Sequence, residues 1–306
     1  MNRQLTGFIV IDKPEGITSH EVVRVVRSHL PVKKVGHLGT LDPMATEVLP
    51  LALGRATRLV QFLMKGRKIY QGTIQLGFST DTYDRLGQPT SEFQQPRFSQ
   101  SQLEAVIERM RGEQLQIPPA FSAKKLGGRR SYQLARRGLK VRIPPQLINI
   151  EEFRVWGIAS DSLEFEVHCS PGTYVRSLAH ELGQKLACGA HLSRLRRLAS
   201  GKFTLKMSLN LDRFLIKEDW LSSLLSTNSM LDDIPSICVS QKAQEHFVHG
   251  RPFKILGLTR PSIPWPYIRI LSRSGQLLGL AEGKSQMDSV EDKSRIATLL
   301  SPRVVL

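Results

Sequence analysis

With 43 Lys and Arg against 27 Asp and Glu, this 306-residue chain carries a formal charge of +16, which attracts polyanions and makes nucleic acid the leading partner. Its length allows a catalytic domain plus a smaller appended one. Cys169, Cys188 and Cys238 are widely spaced and form no CxxC pair, so neither a disulfide framework nor a Cys-based zinc site is signalled, and no run of about 18 apolar residues indicates a membrane span.

The apolar run from Gly7 to Ile11 stops at Asp12 and Lys13, too short for a secretory signal; a soluble, cytoplasmic protein in a reducing compartment is expected. Phe8 to Pro14 reads as a buried strand. The segment from Thr18 to Leu30 follows as a helix, with Thr18 and Glu21 at capping-box spacing and Val22, Val25 and Val26 facing inward. After a loop rich in Gly, His, Thr and Pro, residues 55–64 are apolar at helical spacing, and 69–77 alternate so that Tyr70, Ile74 and Leu76 share one strand face. Residues 79–89 have turn composition. Ser101 and Glu104 are placed to cap a helix carrying Leu103, Val106, Ile107 and Met110.

From Phe121 to Pro145 there are eight Lys or Arg and no acidic residue. Such charges repel one another and favour a mobile loop until phosphates neutralise them. Strand-like 163–169 then leads through a Pro-Gly turn into a helix over 173–187, with Val175, Leu178, Leu182 and Leu186 on one side. The polar stretch 222–236 reads as a boundary whose scattered leucines pack in part on the first domain, and short apolar runs beyond it suit a small β-rich module. The expected class is α+β, with separated helices and no repeating βαβ unit.

The first loop also carries a candidate for chemistry. Asp42 stands before Pro43, which fixes the chain, while Gly36 and Gly39 permit a tight backbone path and close approach of a ligand. A carboxylate so held can act as nucleophile or base, or can simply close an Asx turn; the loop alone leaves both open. Asp81 and Asp84 have a spacing compatible with a metal, but with no third ligand nearby a turn is the better reading, and no metal is expected.

The run Gly36-His37-Leu38-Gly39-Thr40-Leu41-Asp42-Pro43, followed by Ala45, Val48-Leu49-Pro50 and Gly54-Arg55-Ala56-Thr57, resembles the catalytic loop of the TruB family of pseudouridine synthases. The likeness continues in the family's order through residues 68–88, 117–138, 169–183 and 188–203, and more weakly through 275–283 and 301–306. It implies a pseudouridine synthase fold, with a mixed, mainly antiparallel sheet flanked by helices over residues 1–230 and a PUA-like, β-rich domain over 234–306. The implied reaction isomerises the uridine numbered 55 in the T arm of tRNA, needs no cofactor, and can accompany a tRNA-folding role.

By the same resemblance Asp42 is the catalytic aspartate, Tyr70 packs against the flipped base, and Arg176 pairs with the carboxylate beside Tyr174. His37 stacks in the T loop, Leu195 gives the base an apolar contact, and Asp84 supports the site or the substrate. The basic segment 121–145, including Lys124, Arg129 and Arg130, resembles a thumb that closes on the T arm. The C-terminal module would reach towards the acceptor stem, and the enzyme would work as a monomer without a protein partner. Glu47 departs from the pattern, standing where the family usually has Gly; its side chain is expected to face solvent. The alternatives are a non-catalytic RNA-binding protein on the same scaffold and a guide-RNA-dependent relative like dyskerin, which lacks a comparable thumb.

Overall fold

Residues 5–122, 124–139, 141–216, 218–256, 266–286 and 297–306 are described in the computed structural model. Strand β1 (Gly7–Lys13) is buried along nearly its whole length and passes the chain to helix α1 (Ser19–His29). The expected capping box is formed: Thr18 Oγ1 accepts from the Glu21 amide at 3.1 Å, and the Thr18 amide donates to Glu21 at 2.7 Å. Such a cap holds a helix end by about 1 kcal/mol. Val22, Val23 and Val26 of α1 are buried, each contributing roughly 1.5–3 kcal/mol of apolar transfer.

Strands β2 (Val35–His37) and β3 (Thr46–Leu53) flank the Asp42 loop. A 3-10 turn (Gly54–Leu59) and the single-turn α2 (Val60–Leu63) replace the continuous helix expected over 55–64. Strand β4 (Lys68–Leu76) alternates as read, with Tyr70, Ile74 and Leu76 buried. Helix α3 (Gln100–Arg109) starts earlier than expected: Ser99 rather than Ser101 is the cap, and Gln102 rather than Glu104 closes the box. Both serines have a partner three residues on; the earlier register brings Leu103 and Ile107 into the core while Ser101 bonds Ser99.

Strand β5 (Gly112–Gln116) leads into the basic segment, which folds as a hairpin of β6 (Lys125–Leu126) and β7 (Arg129–Arg130) followed by α4 (Ser131–Ala135). Ala123 and Lys140 of that segment lie outside the described residues. Then come β8 (Gln146–Trp156), β9 (Ser162–Cys169), α5 (Val175–Lys185), β10 (Ala190–Ser200), β11 (Phe203–Thr204), β12 (Ser208–Asn210) and α6 (Leu211–Ile216).

These strands form one sheet in the order β12-β1-β3-β10-β4-β9-β8-β5, with β2 added to β3 and β11 to β10. Along that order only β12 with β1 and β3 with β10 run parallel, so the fold is α+β around a mixed, mainly antiparallel sheet. The parallel pair matters most for the site, because it sets Glu47 beside Arg197 although they are far apart in the chain. Valines of α1, Leu103 and Ile107 of α3 and Val175, Leu178 and Leu182 of α5 cover one face of the sheet.

Strand β13 (Ser236–Cys238), helix α7 (Gln241–Val248) and strands β14 (Phe253–Leu256), β15 (Tyr267–Leu271), β16 (Leu277–Gln286) and β17 (Ala297–Val305) build a second sheet, ordered β13-β15-β16-β17-β14. Its Leu277, Leu280 and Val304 pack with Phe8, Val10, Val48 and Ala52 of the first sheet, and Met230 and Leu231 join the same cluster. Among the described residues no helix is long and apolar enough to cross a membrane.

Candidate active site

The loop between β2 and β3 is anchored carbonyl by carbonyl. Gly39 takes φ +125°, which glycine adopts without strain, and its carbonyl accepts from Arg197 Nη2 at 3.1 Å. Arg197 Nη1 donates to the Thr40 carbonyl at 3.4 Å and its Nε to Val48 O at 2.9 Å. Ser19 Oγ, at the start of α1, donates to Leu41 O at 3.2 Å and accepts from the Leu41 amide at 2.8 Å. The Asp42 carbonyl accepts from the Ala45 amide at 3.0 Å, and Pro43 O accepts from Gly16 N at 2.9 Å and Lys13 Nζ at 3.1 Å. Every carbonyl from Gly39 to Pro43 is thus engaged, and moving the loop would break these hydrogen bonds together.

Two of these anchors are buried cations, Lys13 at 0% and Arg197 at 1% exposure. Burial pushes the Lys13 ammonium down to about 8, with the charge of Asp42 acting in the opposite direction. On the rigid loop Asp42 presents a side chain that is 33% exposed, facing a nearly buried Arg176 from the first turn of α5. Arg176 Nη2 donates to Asp42 Oδ1 at 3.0 Å, and Nε lies 2.8 Å from Oδ2 as an ion contact off the hydrogen-bond line. Nη1 donates to Thr82 O at 3.1 Å and lies 3.4 Å from Asp84 Oδ2, while Nη2 also donates to Phe121 O at 3.0 Å. One guanidinium therefore ties the Asp42 loop, the 80–89 turn and the base of the basic hairpin together.

Asp84 is buried, and its Oδ1 accepts from Thr82 Oγ1 at 2.7 Å and Leu86 N at 3.0 Å; Asp81 accepts from Gln88 N at 2.8 Å. Both acids close a turn. Tyr70 and Leu195 belong to the same core cluster, and burial pushes the Tyr70 phenol up, with the charge of Arg197 opposing. Tyr174 caps α5, its amide donating to Gln116 Oε1 at 2.8 Å and its carbonyl accepting from Gln116 Nε2 at 3.1 Å. His37 ends β2 with a buried Nδ1 that has no partner; burial pushes its pKa down, and the charges of Arg197, His20 and Arg130 act in the same direction. Arg129 and Arg130 are exposed on the hairpin, and among the described residues no ion pair joins them or Lys124 to a carboxylate.

Residues 27–175 match the model of the TruB family pseudouridylate synthase N-terminal domain, and residues 176–230 match that of the tRNA pseudouridylate synthase B C-terminal domain. A tRNA pseudouridine synthase B of Solibacter usitatus is 45% identical over 91% of this chain and 96% of its own length. The Prochlorococcus marinus protein of the same name is 35% identical over 96% of this chain and 98% of its own. The chain belongs to the TruB family. A chain in the crystal structure of a Cbf5-Nop10-Gar1 complex has a similar fold, with a TM-score of 0.70 at 25% identity, covering 98% of this chain and 85% of that one.

Within this TruB-family chain, Glu47 corrects an expectation. Its side chain does not face solvent: the residue is 4% exposed, Oε1 is paired with Arg196, and Oε2 is buried without a partner. The backbone supplies the reason. Glu47 sits at φ +77°, in the left-handed region, and that geometry accounts for the glycine usual at this place.

Lys13, Ser19 and Arg197 were not singled out from the sequence, although they hold the loop. Arg197 carries a readable signal, because alternation along Leu195, Arg197 and Ala199 places it on the buried face of its strand. Away from the site, Glu152, Glu166 and His168 bring three ligand-type atoms together. Their side chains are already engaged, Glu166 with Gln71 at 2.8 Å and His168 at 2.9 Å, and Glu152 with Arg154 at 2.5 Å.

Proposed function

We propose that this chain isomerises the uridine numbered 55 in the T arm of tRNA to pseudouridine, with Asp42 as the reacting carboxylate. The observation that carries this reading is the Asp42–Arg176 pair: a carboxylate gripped on one side by a buried guanidinium, one third exposed on the other, on a loop without slack. Relatives named tRNA pseudouridine synthase B, matching along nearly their whole length, support tRNA as the substrate.

In the reaction the bond from ribose C1′ to N1 breaks, the base turns, and C1′ bonds to C5. The hydrogen on C5 leaves as a proton and N1 takes one up, so atoms and electrons balance without a redox partner or a group donor. Asp42 can serve by attack on C1′, by addition to base C6 or by removing a sugar proton, and its placement suits each. The guanidinium stays charged as an entering base displaces water and continues to balance the carboxylate.

Reaching the base requires flipping it out of the folded loop. In this reading Tyr70 and Leu195 pack against the flipped base, Tyr174 and Asp84 hold Arg176 and the substrate in place, and His37 fills the stack the base leaves. Lys124, Arg129 and Arg130 meet T-arm phosphates as the hairpin closes, replacing the hold that a guide RNA gives in other members of the fold. The catalytic domain spans about residues 1–230, and the second sheet, within 234–306, acts as a PUA-like module reaching along the tRNA towards the acceptor stem. The protein works in the cytoplasm as a monomer.

The test is pseudouridine mapping in an unmodified tRNA transcript incubated with the purified chain and no other RNA. Product confined to the T-loop uridine supports the reading. Product only when a guide RNA is added supports the guide-dependent alternative.

A further inference from the structure

The basic hairpin grows from a stalk that helix α5 grips from the side. Gln116, the last residue of β5, bonds the Tyr174 backbone in both directions, Ser177 Oγ donates to Ile117 O at 2.9 Å, and Arg176 Nη2 donates to Phe121 O at 3.0 Å. Residues 116–121 are therefore held along the first turn of α5, and the hairpin begins where that contact ends. One buried serine ties the hairpin back to the same stalk. Ser131, the first residue of α4, is 0% exposed, although Arg129 and Arg130 just before it are exposed. Its Oγ donates to Ala120 O, eleven residues back in the chain. Its amide donates to Lys124 O at 2.7 Å, and the next amide, of Tyr132, donates to Ser122 O at 3.0 Å.

Successive carbonyls of the stalk thus belong to two different partners. The hairpin holds Ala120 O and Ser122 O, and Arg176 holds Phe121 O between them. Peptide units are planar and joined only through φ and ψ, so displacing Ala120 O and Ser122 O turns the Phe121 carbonyl with them. That carbonyl takes one of the two hydrogens on Arg176 Nη2, and Asp42 Oδ1, also at 3.0 Å, takes the other. A single nitrogen therefore joins the root of the hairpin to the carboxylate.

Resting on the RNA-modifying reading above, we propose that Ser131 is a positioning residue for the reaction. Its hydroxyl locks α4 to Ala120, and the Phe121 carbonyl passes the seated position of the hairpin to Arg176 and so to Asp42. The hairpin's cations repel one another when no phosphate is near, which works against the seated position. Phosphates bound at Arg129 and Arg130 remove that repulsion and so set the geometry of the Asp42–Arg176 pair as well as holding the RNA. The hairpin then contributes to the rate at which bound RNA reacts, and Ser131 is the side chain through which it does so.

The experiment measures single-turnover pseudouridine formation on a T-arm stem-loop at saturating protein, with the dissociation constant alongside, for wild type, Ser131→Ala, Arg176→Lys and the double variant. Ser131→Ala is expected to lower the saturating rate roughly three- to tenfold, the effect of one lost hydrogen bond, with affinity held within about twofold. Lysine at 176 keeps a cation but loses the rigid fork that serves Asp42 and Phe121 together, so in that background Ser131→Ala is expected to cost no further rate. Losses that multiply, a loss of affinity alone, or a wild-type rate in Ser131→Ala overturn the proposal. Hydrogen exchange in the RNA-free protein reads the same link without turnover. Coupling is reciprocal, so Arg176→Lys is expected to speed exchange of the Ser131 and Tyr132 amides about tenfold. Unchanged exchange overturns the link even where wild type forms pseudouridine. Faster exchange without pseudouridine from wild type supports the link and counts against the enzymatic reading, so the two failures are told apart.

Discussion

Arg197 and Tyr70 occupy paired positions on β10 and β4, and from that pairing the Arg197 guanidinium reaches the carbonyls of Gly39, Thr40 and Val48. The sheet that carries Tyr70 thereby also fixes the loop that carries the Asp42 carboxylate. Local sequence rigidity is not the whole source of the precision; a buried cation from a distant strand shares the work with Ser19 and Lys13.

Replacing Arg197 by Met leaves the buried Val48 carbonyl and the partly exposed Gly39 and Thr40 carbonyls without those donors. We expect a stability loss of about 1–3 kcal/mol in urea unfolding, set by the one carbonyl that water does not reach. We also expect kcat to fall far more than KM rises, because Asp42 loses its orientation while the RNA-binding surface is untouched. Arg197→Lys should recover stability in part and kcat less. Equal effects on kcat and KM would contradict a positioning role.

Lys13 gives a pH dependence with an unusual sign. Its ammonium sits near 8 in the folded chain against 10.5 ordinarily, so between those values the unfolded chain binds more protons. Folding stability from this group therefore rises as pH climbs through that window, by roughly 3 kcal/mol at most, and is penalised below it. Thermal melts of wild type and Lys13→Met from pH 7 to 10.5 should converge in favour of the wild type as pH rises. A gap that does not change with pH would contradict the buried ammonium.

Glu47→Gly should stabilise the protein by about 1 kcal/mol. The gain is relief of a left-handed backbone and of an unpartnered buried oxygen; set against it are the ion pair with Arg196 and a more flexible unfolded chain. Turnover should change less than about twofold, since the substitution restores the residue usual at that place in the family. Denaturant unfolding that moves to lower midpoint would mean the ion pair outweighs the strain.

Neutralising Arg129, Arg130, Arg136 and Arg137 together should weaken tRNA binding and flatten its dependence on salt, the logarithmic slope falling by about 0.9 for each phosphate that is no longer neutralised, for an A-form stem as for B-DNA. Affinity measured at several salt concentrations reads this directly. An unchanged slope would move the phosphate-binding surface away from the hairpin.

How much of this was legible in the sequence depended on whether the controlling interaction was local. The Thr18–Glu21 box and the alternation of β4 are short-range patterns, and both formed as read. The cap of α3 was misplaced because Ser99 and Ser101 each have a partner three residues on, and only burial of Leu103 and Ile107 chooses between them. Asp42 and Arg176 were found through resemblance across whole motifs, since a lone Asp-Pro and a lone helix Arg have ordinary structural explanations. Lys13, Ser19 and Arg197 act on backbone carbonyls far along the chain, and a backbone acceptor leaves no residue type to recognise. The left-handed φ at Glu47 was equally silent, marked only by a glycine that is not there.

The most direct measurement is single-turnover pseudouridine formation on a T-arm stem-loop by wild type and Asp42→Asn, with RNA affinity determined for both. The substitution keeps the side chain's shape and removes the carboxylate that faces Arg176. We predict pseudouridine from wild type alone, with affinities within a few-fold of each other. Pseudouridine formed by Asp42→Asn at a rate near that of wild type would contradict the assignment of Asp42 as the reacting carboxylate.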